Sequence, residues 1–304
     1  MRVRKYRSRT SPRWNQIHKW ICGISQRTRQ KSKILIKHKP MPIISIAIQK
    51  GGSGKTTTTL NLAAALQRQG KNVLLFDADP QASLSEALGV RDEPENNLFT
   101  ELTREIKGQG GDLQRVIIPT KSGLPLIPSS IELAGAELEL VSVYGREQVF
   151  TWMLDKLAGK YDFILIDCPP AIGMLTVNAL VASDFILMPL QAEFLPLKGL
   201  RSFMHHFNAV HKLNRKLEIL GFVLTRYDQR KIMNREIFQL LEQEFGEKMF
   251  QTRIRSSIQL AKAQQEGTDI FHYDPHSHGA DDYAALAAEL LTRLEAVTAA
   301  QAAV

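Results

Sequence analysis

The chain has 304 residues, 39 Lys and Arg against 31 Asp and Glu, and a formal net charge of +8. That length gives ~2 domains as a prior, though α/β folds of this size are often one, and it allows a large buried sheet. Two cysteines, Cys22 and Cys168, exclude a disulfide framework and fit a reducing cytosol, and no apolar run approaches the ~20 residues of a membrane-spanning helix.

The charge is unevenly placed. Residues 1–40 hold 13 Lys and Arg and no Asp or Glu, leaving 26 basic against 31 acidic residues in the remainder, a balance of −5. The first 40 residues show no steady hydrophobic period and read as a disordered basic extension. Three readings of it stand: an arm that contacts nucleic-acid phosphates, upstream sequence joined by a misplaced start with Met41 as the true one, or an Arg-rich transit peptide. Residues 41–304 then read as one domain.

Residues 43–57, I-I-S-I-A-I-Q-K-G-G-S-G-K-T-T, organise the rest. Ile43 to Ile48 is apolar and β-branched and predicts a buried parallel strand. A glycine-rich turn follows, and Lys55-Thr56-Thr57 open a helical pattern. Strand, glycine turn and helix is the context of a phosphate-binding loop: Gly51, Gly52, Ser53 and Gly54 present backbone N–H groups, and the helix N-terminus adds partial positive charge. Lys55 reaches the β- and γ-phosphates, Thr56 sits on Mg²⁺, and Thr57 completes the nucleotide-binding set. Gln49 stands where the ordinary motif has its first glycine, and a second lysine, Lys50, precedes the glycine pair. K-G-G-S-G-K-T-T is the deviant form of the loop, and in it the chain resembles the ParA/Soj partition ATPases, relatives of MinD.

The next strand, Val73 to Phe76, ends in D-A-D-P-Q, with Asp77 and Asp79 at its carboxyl end, where open α/β sheets bind ligands. The resemblance implies that Asp79 orients the attacking water and that Asp77 stands near Mg²⁺. Residues 91–114 are polar apart from a helix over Leu98–Ile106. Two short strands are predicted within 115–128, and helices over Glu132–Val143 and Arg146–Leu157. None of these carries recognisable chemistry, and packing and subunit contact are their expected work.

F-I-L-I-D-C-P-P, Phe163 to Pro170, is a continuous apolar strand ending in an acid, the Walker B pattern. Asp167 holds Mg²⁺ through water, as an ion that keeps part of its hydration shell prefers. Cys168 reads as a small buried hydrophobe. By resemblance, the loop Pro169–Gly173 senses the nucleotide and faces a partner subunit. A strand over Phe185–Pro189 leads to Gln191 and Glu193, then to a helix from about Leu197. The strand L-E-I-L-G-F-V-L-T-R-Y-D carries Thr225 where relatives place an asparagine that bonds adenine, and an amphipathic helix is expected over Asn234–Phe245.

M-F-Q-T-R-I-R-S-S-I-Q-L-A-K-A resembles the family's I-P-R-N-V-R-L stretch, whose arginines are associated with non-specific DNA binding. Here Arg255 takes the Pro position, Ser256 the next Arg and Gln259 the second. Arg230, Lys231, Arg235, Arg253, Arg255 and Lys262 are the residues left to build a basic face. His276 and His278 read as surface residues. The last helix, Asp281 to Val297, places Leu286, Leu290, Leu291 and Leu294 on its core face, and Ala299–Val304 lacks the basic residues of a MinD-type membrane anchor.

The fold implied is α/β: an open, mostly parallel, doubly wound sheet with helices on both faces. The resemblance implies a cytoplasmic, nucleoid-associated ATPase that uses ATP and Mg²⁺. It would form a homodimer on binding ATP, bind DNA non-specifically, answer to a ParB-like stimulatory partner, and make no stable membrane association. A membrane-cycling regulator of MinD type and a nucleotide-dependent scaffold without turnover are the alternatives.

Overall fold

The computed structural model describes residues 41–192 and 196–302; the basic extension 1–40 and Glu193 lie outside them. Eight strands form one sheet in the order β3-β4-β2-β5-β1-β6-β7-β8. They are β1 Ile43–Ile46, β2 Val73–Asp77, β3 Ile118–Pro119, β4 Pro125–Ile127, β5 Phe163–Asp167, β6 Phe185–Gln191, β7 Glu218–Tyr227 and β8 Met249–Arg255. All pairings are parallel except β3 with β4. This is the open doubly wound sheet that the buried apolar runs predict.

Helices cover both faces: α1 Lys55–Arg68, α2 Ser83–Ala87, α3 Leu98–Ile106, α4 Leu133–Leu140, α5 Val149–Asp155, α6 Met174–Ala182, α7 Pro196–Leu213, α8 Ile232–Phe245, α9 Ile258–Gln265, α10 Ile270–Tyr273 and α11 His278–Ala302. Because side chains alternate along a strand, each central strand feeds two cores. Ile43, Leu74, Phe76, Ile164 and Ile166 pack with α3 to α8. Ile44, Ile46, Leu75 and Leu165 pack on the other face, with α1, α2 and α9 to α11. Burial on both faces is why these strands read as unbroken apolar runs rather than alternating ones.

Several boundaries move for local reasons. β1 stops at Ile46, two residues short of the apolar run, because Ala47 and Ile48 already belong to the descending loop. α3 matches its predicted span: Asn97 caps it, accepting from the Thr100 N–H at 3.2 Å. The helix predicted from Arg146 begins as a 3-10 turn, Arg146–Gln148, before α5. α11 starts three residues early, since the Ser277 hydroxyl accepts from Ala280 N–H. The stretch quoted for DNA binding contributes the edge strand β8 and then α9. Among the described residues, no helix is long and apolar enough to cross a membrane.

The chain passes from β1 to β2 over the position later filled by β5, and then continues with β6 on the other side of β1. Ligands bind at such a reversal, outside the carboxyl ends of the strands. The three predicted motifs end three adjacent strands there. Asp167 of β5 stands in register with Asp77 of β2 on one side and with Ile46 of β1 on the other.

Candidate functional site

The loop Gln49–Gly54 descends from β1 into α1. Gly52 and Gly54 sit at φ 72° and 89°, the left-handed region where a side chain is strained. Gly54 is also the N-cap of α1, which has no side-chain cap and no acid in its first turn. The first-turn N–H groups therefore lack an internal carboxylate and carry the positive end of the helix dipole. Gly51 and Gly52 are exposed, and a Cβ on either would meet nothing within 4 Å.

Lys55 is only 7% exposed and its Nζ donates to the Lys50 carbonyl at 3.3 Å. The two lysines are thus placed on one loop, Lys55 beneath it and Lys50 half-buried at its start. Ser53 is buried, and its Oγ and the Gln49 Oε1 have no hydrogen-bond partner within the protein. Buried polar atoms without partners are uncommon. Here they lie in a loop whose donors, glycines and lysines suit a phosphate chain, so the residues fit such a ligand.

Two carboxylates lie below. Asp167 accepts from the Thr56 hydroxyl at 2.7 Å and from Thr59 at 3.2 Å. Thr56 and Asp167, predicted to share a cation, are therefore in direct contact, and Thr59, one turn further along α1, is a partner the sequence reading missed. Two oxygen-bearing groups at this spacing form a hard-cation donor set of the kind Mg²⁺ prefers. Asp77 is placed differently. Its Oδ2 accepts both the Ser85 N–H at 2.8 Å and the Ser85 hydroxyl at 2.7 Å, and its Oδ1 accepts the Asp79 N–H at 3.2 Å. Asp77 anchors the turn between β2 and α2 rather than joining Thr56 and Asp167. The signal for this was a serine eight residues on, too distant for any local motif.

Asp79 is 8% exposed and its Oδ1 accepts the Gln81 N–H at 3.0 Å, so the carboxylate stabilises its own turn. Ala82, at φ 50°, closes that turn in a strained conformation for a non-glycine residue. Thr225 lies under the loop. Its hydroxyl donates to the Ser53 carbonyl at 2.8 Å, and it is 3% exposed. The threonine placed at the adenine position by resemblance braces the phosphate loop, its hydroxyl lying also within 3.4 Å of the Leu190 carbonyl. Thr57 meets Gln264 of α9, and beside it a cleft of about 500 Å³ opens between α2 and α9, lined by Thr56, Thr57, Ser83, Arg91 and Gln264.

Burial pushes the Asp77 carboxyl up to about 8, with the Asp167 charge adding to the effect. It pushes Asp167 to about 7, with the Thr56 hydrogen bond and Lys55 pulling the other way. A carboxyl raised above its unfolded value binds its proton more tightly in the native state. Its stabilisation is complete below the unfolded range near ~4 and is lost as pH rises through the native value. Free of ligands, the protein is expected to melt at progressively lower temperature between about pH 5 and about pH 8.5. Melting curves across that range check this, and a rising midpoint would contradict it. Cys168, fully buried, has its thiol pushed up to about 12 and is inert filling.

The six residues offered as a basic face are differently engaged. Arg230 is held by Asp228 through two bonds at 3.0 Å, which keep that carboxylate down at about 2. Arg253 stacks on Phe238 of α8, 3.6 Å from the ring centre. Arg255 turns to the opposite face of the sheet, where Asp282 of α11 takes its Nη2 at 2.6 Å and its backbone N–H at 2.8 Å. Lys231, Arg235 and Lys262 are exposed. Arg255 is corrected from a free cation to a structural clamp, since a buried acid from a distant helix claims it. His278 is exposed and lies beside Arg255, and among the described residues there is no cluster of three or more His, Cys, Asp or Glu side chains placed to hold a metal by themselves.

Comparison with known proteins places this geometry. The model of the AAA domain family matches residues 41–219. The sporulation initiation inhibitor protein Soj of Bacillus subtilis is 40% identical over 250 residues, covering 82% of this chain and 97% of Soj. The chromosome partitioning protein ParA of Caulobacter vibrioides is 36% identical over 258 residues, covering 84% and 95%. Among solved structures, cobyrinic acid a,c-diamide synthase from Mycobacterium smegmatis with bound ATP analogue and magnesium superposes with a TM-score of 0.73 at 31% identity, over 84% of this chain and 96% of that one.

Proposed function

Since the chain belongs to the ParA/Soj family of partition ATPases, we propose that it is an Mg²⁺-dependent ATPase that dimerises around ATP, binds DNA non-specifically and positions a cargo in the cytoplasm, on the nucleoid. The observation that carries the proposal is the uncapped α1 N-terminus, cradled by Lys50–Gly54, directly above the Thr56–Asp167 pair. The magnesium- and ATP-analogue-bound relative supports the choice of ligand.

Each residue then has a task. First-turn N–H groups and Lys55 bind the phosphate chain. The Thr56 hydroxyl and, through water, Asp167 would hold Mg²⁺, which when bound would offset charge on the phosphates. Asp79 orients the attacking water. Lys50 reaches the phosphates bound by the other subunit and opposes the charge that builds up in transfer. A ParB-like partner accelerates turnover.

Lys50→Ala is expected to retain ATP binding by the monomer while losing ATP-dependent dimerisation and stimulated hydrolysis. Light scattering with ATP, read beside phosphate release, tests this, and normal stimulated turnover would remove Lys50 from the mechanism. For DNA, a patch that engages ~4 phosphates gives a slope near −3.6 of log affinity against log salt. A flat response in a salt titration of the ATP-bound protein would end the backbone-binding part of the proposal.

A further inference from the structure

Helix α6 starts immediately behind the loop that follows Asp167. Its N-cap is Gly173, which has no side chain to offer, and its first turn contains no acid. The first four N–H groups of a helix need acceptors from elsewhere. One comes from a distant part of the chain: Glu137 of α4 accepts the Leu175 N–H through Oε1 at 3.1 Å. The same carboxylate lies against Gly173, where a Cβ would come within 2.8 Å of Oε2 and closer still to Oε1. Gly173 has φ −100°, a conformation open to any residue. The glycine is needed for room, and what needs the room is Glu137. On the other side, the Thr176 hydroxyl donates to the Ala171 carbonyl at 2.7 Å. The loop between Asp167 and α6 is tied to β1 at its start, where the Cys168 N–H donates to the Ile46 carbonyl at 3.3 Å, and at its far end by the Thr176–Ala171 bond and the Glu137 side chain from α4.

α4 itself is only half engaged. Leu133, Ala136 and Leu140 are buried while Leu138 is 79% exposed, and just past the end of the helix Val141 and Tyr144 are 58% and 97% exposed. Glu137 stands between these two sets, at the point where α4 meets the loop behind the proposed Mg²⁺-side carboxylate.

We infer that Glu137 is a positioning residue for hydrolysis: by capping α6 it fixes the end of the loop that follows Asp167, up to Gly173, relative to the phosphate loop. The inference rests on the ATPase reading. A carboxylate at a helix N-terminus combines a hydrogen bond with favourable interaction with the dipole. Its loss loosens the loop without removing any group that touches nucleotide, so the effect falls on turnover and not on binding.

The test uses the full chain with Glu137→Ala, Glu137→Gln, Gly173→Ala and the Glu137→Ala/Gly173→Ala pair. Glu137→Ala is expected to lower kcat by about fivefold to tenfold, with KM and ATP affinity within about twofold of the parent. Gly173→Ala should match it, because the added methyl displaces the flexible carboxylate. The pair should be no worse than either alone, since both changes remove one contact. Glu137→Gln keeps an acceptor oxygen and should recover most of the rate. Unchanged kcat in Glu137→Ala, or losses that multiply in the pair, would overturn the inference. Amide exchange at Leu175 in nucleotide-free protein reads the cap without turnover. It should speed up by about fivefold or more in Glu137→Ala, and unaltered exchange also defeats the assignment. A parent chain that hydrolyses no ATP would strike the ATPase reading, leaving the cap to the exchange measurement.

Discussion

Lys55→Ala is expected to lower ATP affinity by about 100-fold or more, the loss of ~3 kcal/mol that follows when a buried, charge-assisted contact is removed from an anionic ligand. Lys55 is 7% exposed at the first position of α1, and its Nζ makes a long hydrogen bond to the Lys50 carbonyl. It is thus held close to where a phosphate chain would lie, with no hydrogen bond to an acid. Alanine is well tolerated at that helical position, so the variant should fold, and circular dichroism can verify that it does. Lys55→Arg is not expected to rescue binding, because a planar guanidinium does not fit the space of a compact ammonium. Calorimetric titration with ATP and Mg²⁺ decides the matter. Near-parental affinity in Lys55→Ala would mean that the loop is not the phosphate site, and the functional proposal would fall with it.

Asp79→Asn is expected to retain ATP binding and dimerisation while hydrolysis drops by about 10² to 10⁴, the range associated with loss of a group that handles the proton of the attacking water. The choice of asparagine follows from geometry. Asp79 Oδ1 accepts the Gln81 N–H at 3.0 Å and shapes the turn ahead of α2. Asparagine keeps that acceptor, whereas alanine removes it together with the charge. Comparing the two substitutions separates the turn from the chemistry. Equal, severe loss in both assigns the effect to the carboxylate charge, and loss in alanine alone assigns it to the turn. Phosphate release measured with saturating ATP is the readout, and parental turnover in Asp79→Asn would remove Asp79 as the residue that positions water.

These expectations draw unequally on sequence and structure. The P-loop was legible because its parts are local: a β-branched run, glycines where φ must be positive, and a helix that opens on Lys55-Thr56. β2 and β5 were legible because strands buried on both faces have no polar alternation to blur them. The roles of single acids were less so. Asp77 and Asp167 both end apolar strands, yet Asp167 faces the hydroxyls of Thr56 and Thr59 while Asp77 is tied to Ser85. Nothing within a few residues of either distinguishes them. Arg255 likewise looked like a free cation until α11 supplied Asp282.

The sequence by itself determined that this chain builds a parallel sheet carrying an anion cradle, because backbone conformation and two-sided burial leave their mark on neighbouring residues. Only the tertiary structure decided that β5 slots between β2 and β1, so that Asp167 meets Thr56, that Thr225 braces the loop from below, and that Glu137 reaches 38 positions along the chain to cap α6. Each of these is a contact between distant segments, fixed by how layers pack and by which buried donors still need an acceptor. A local pattern carries no record of that.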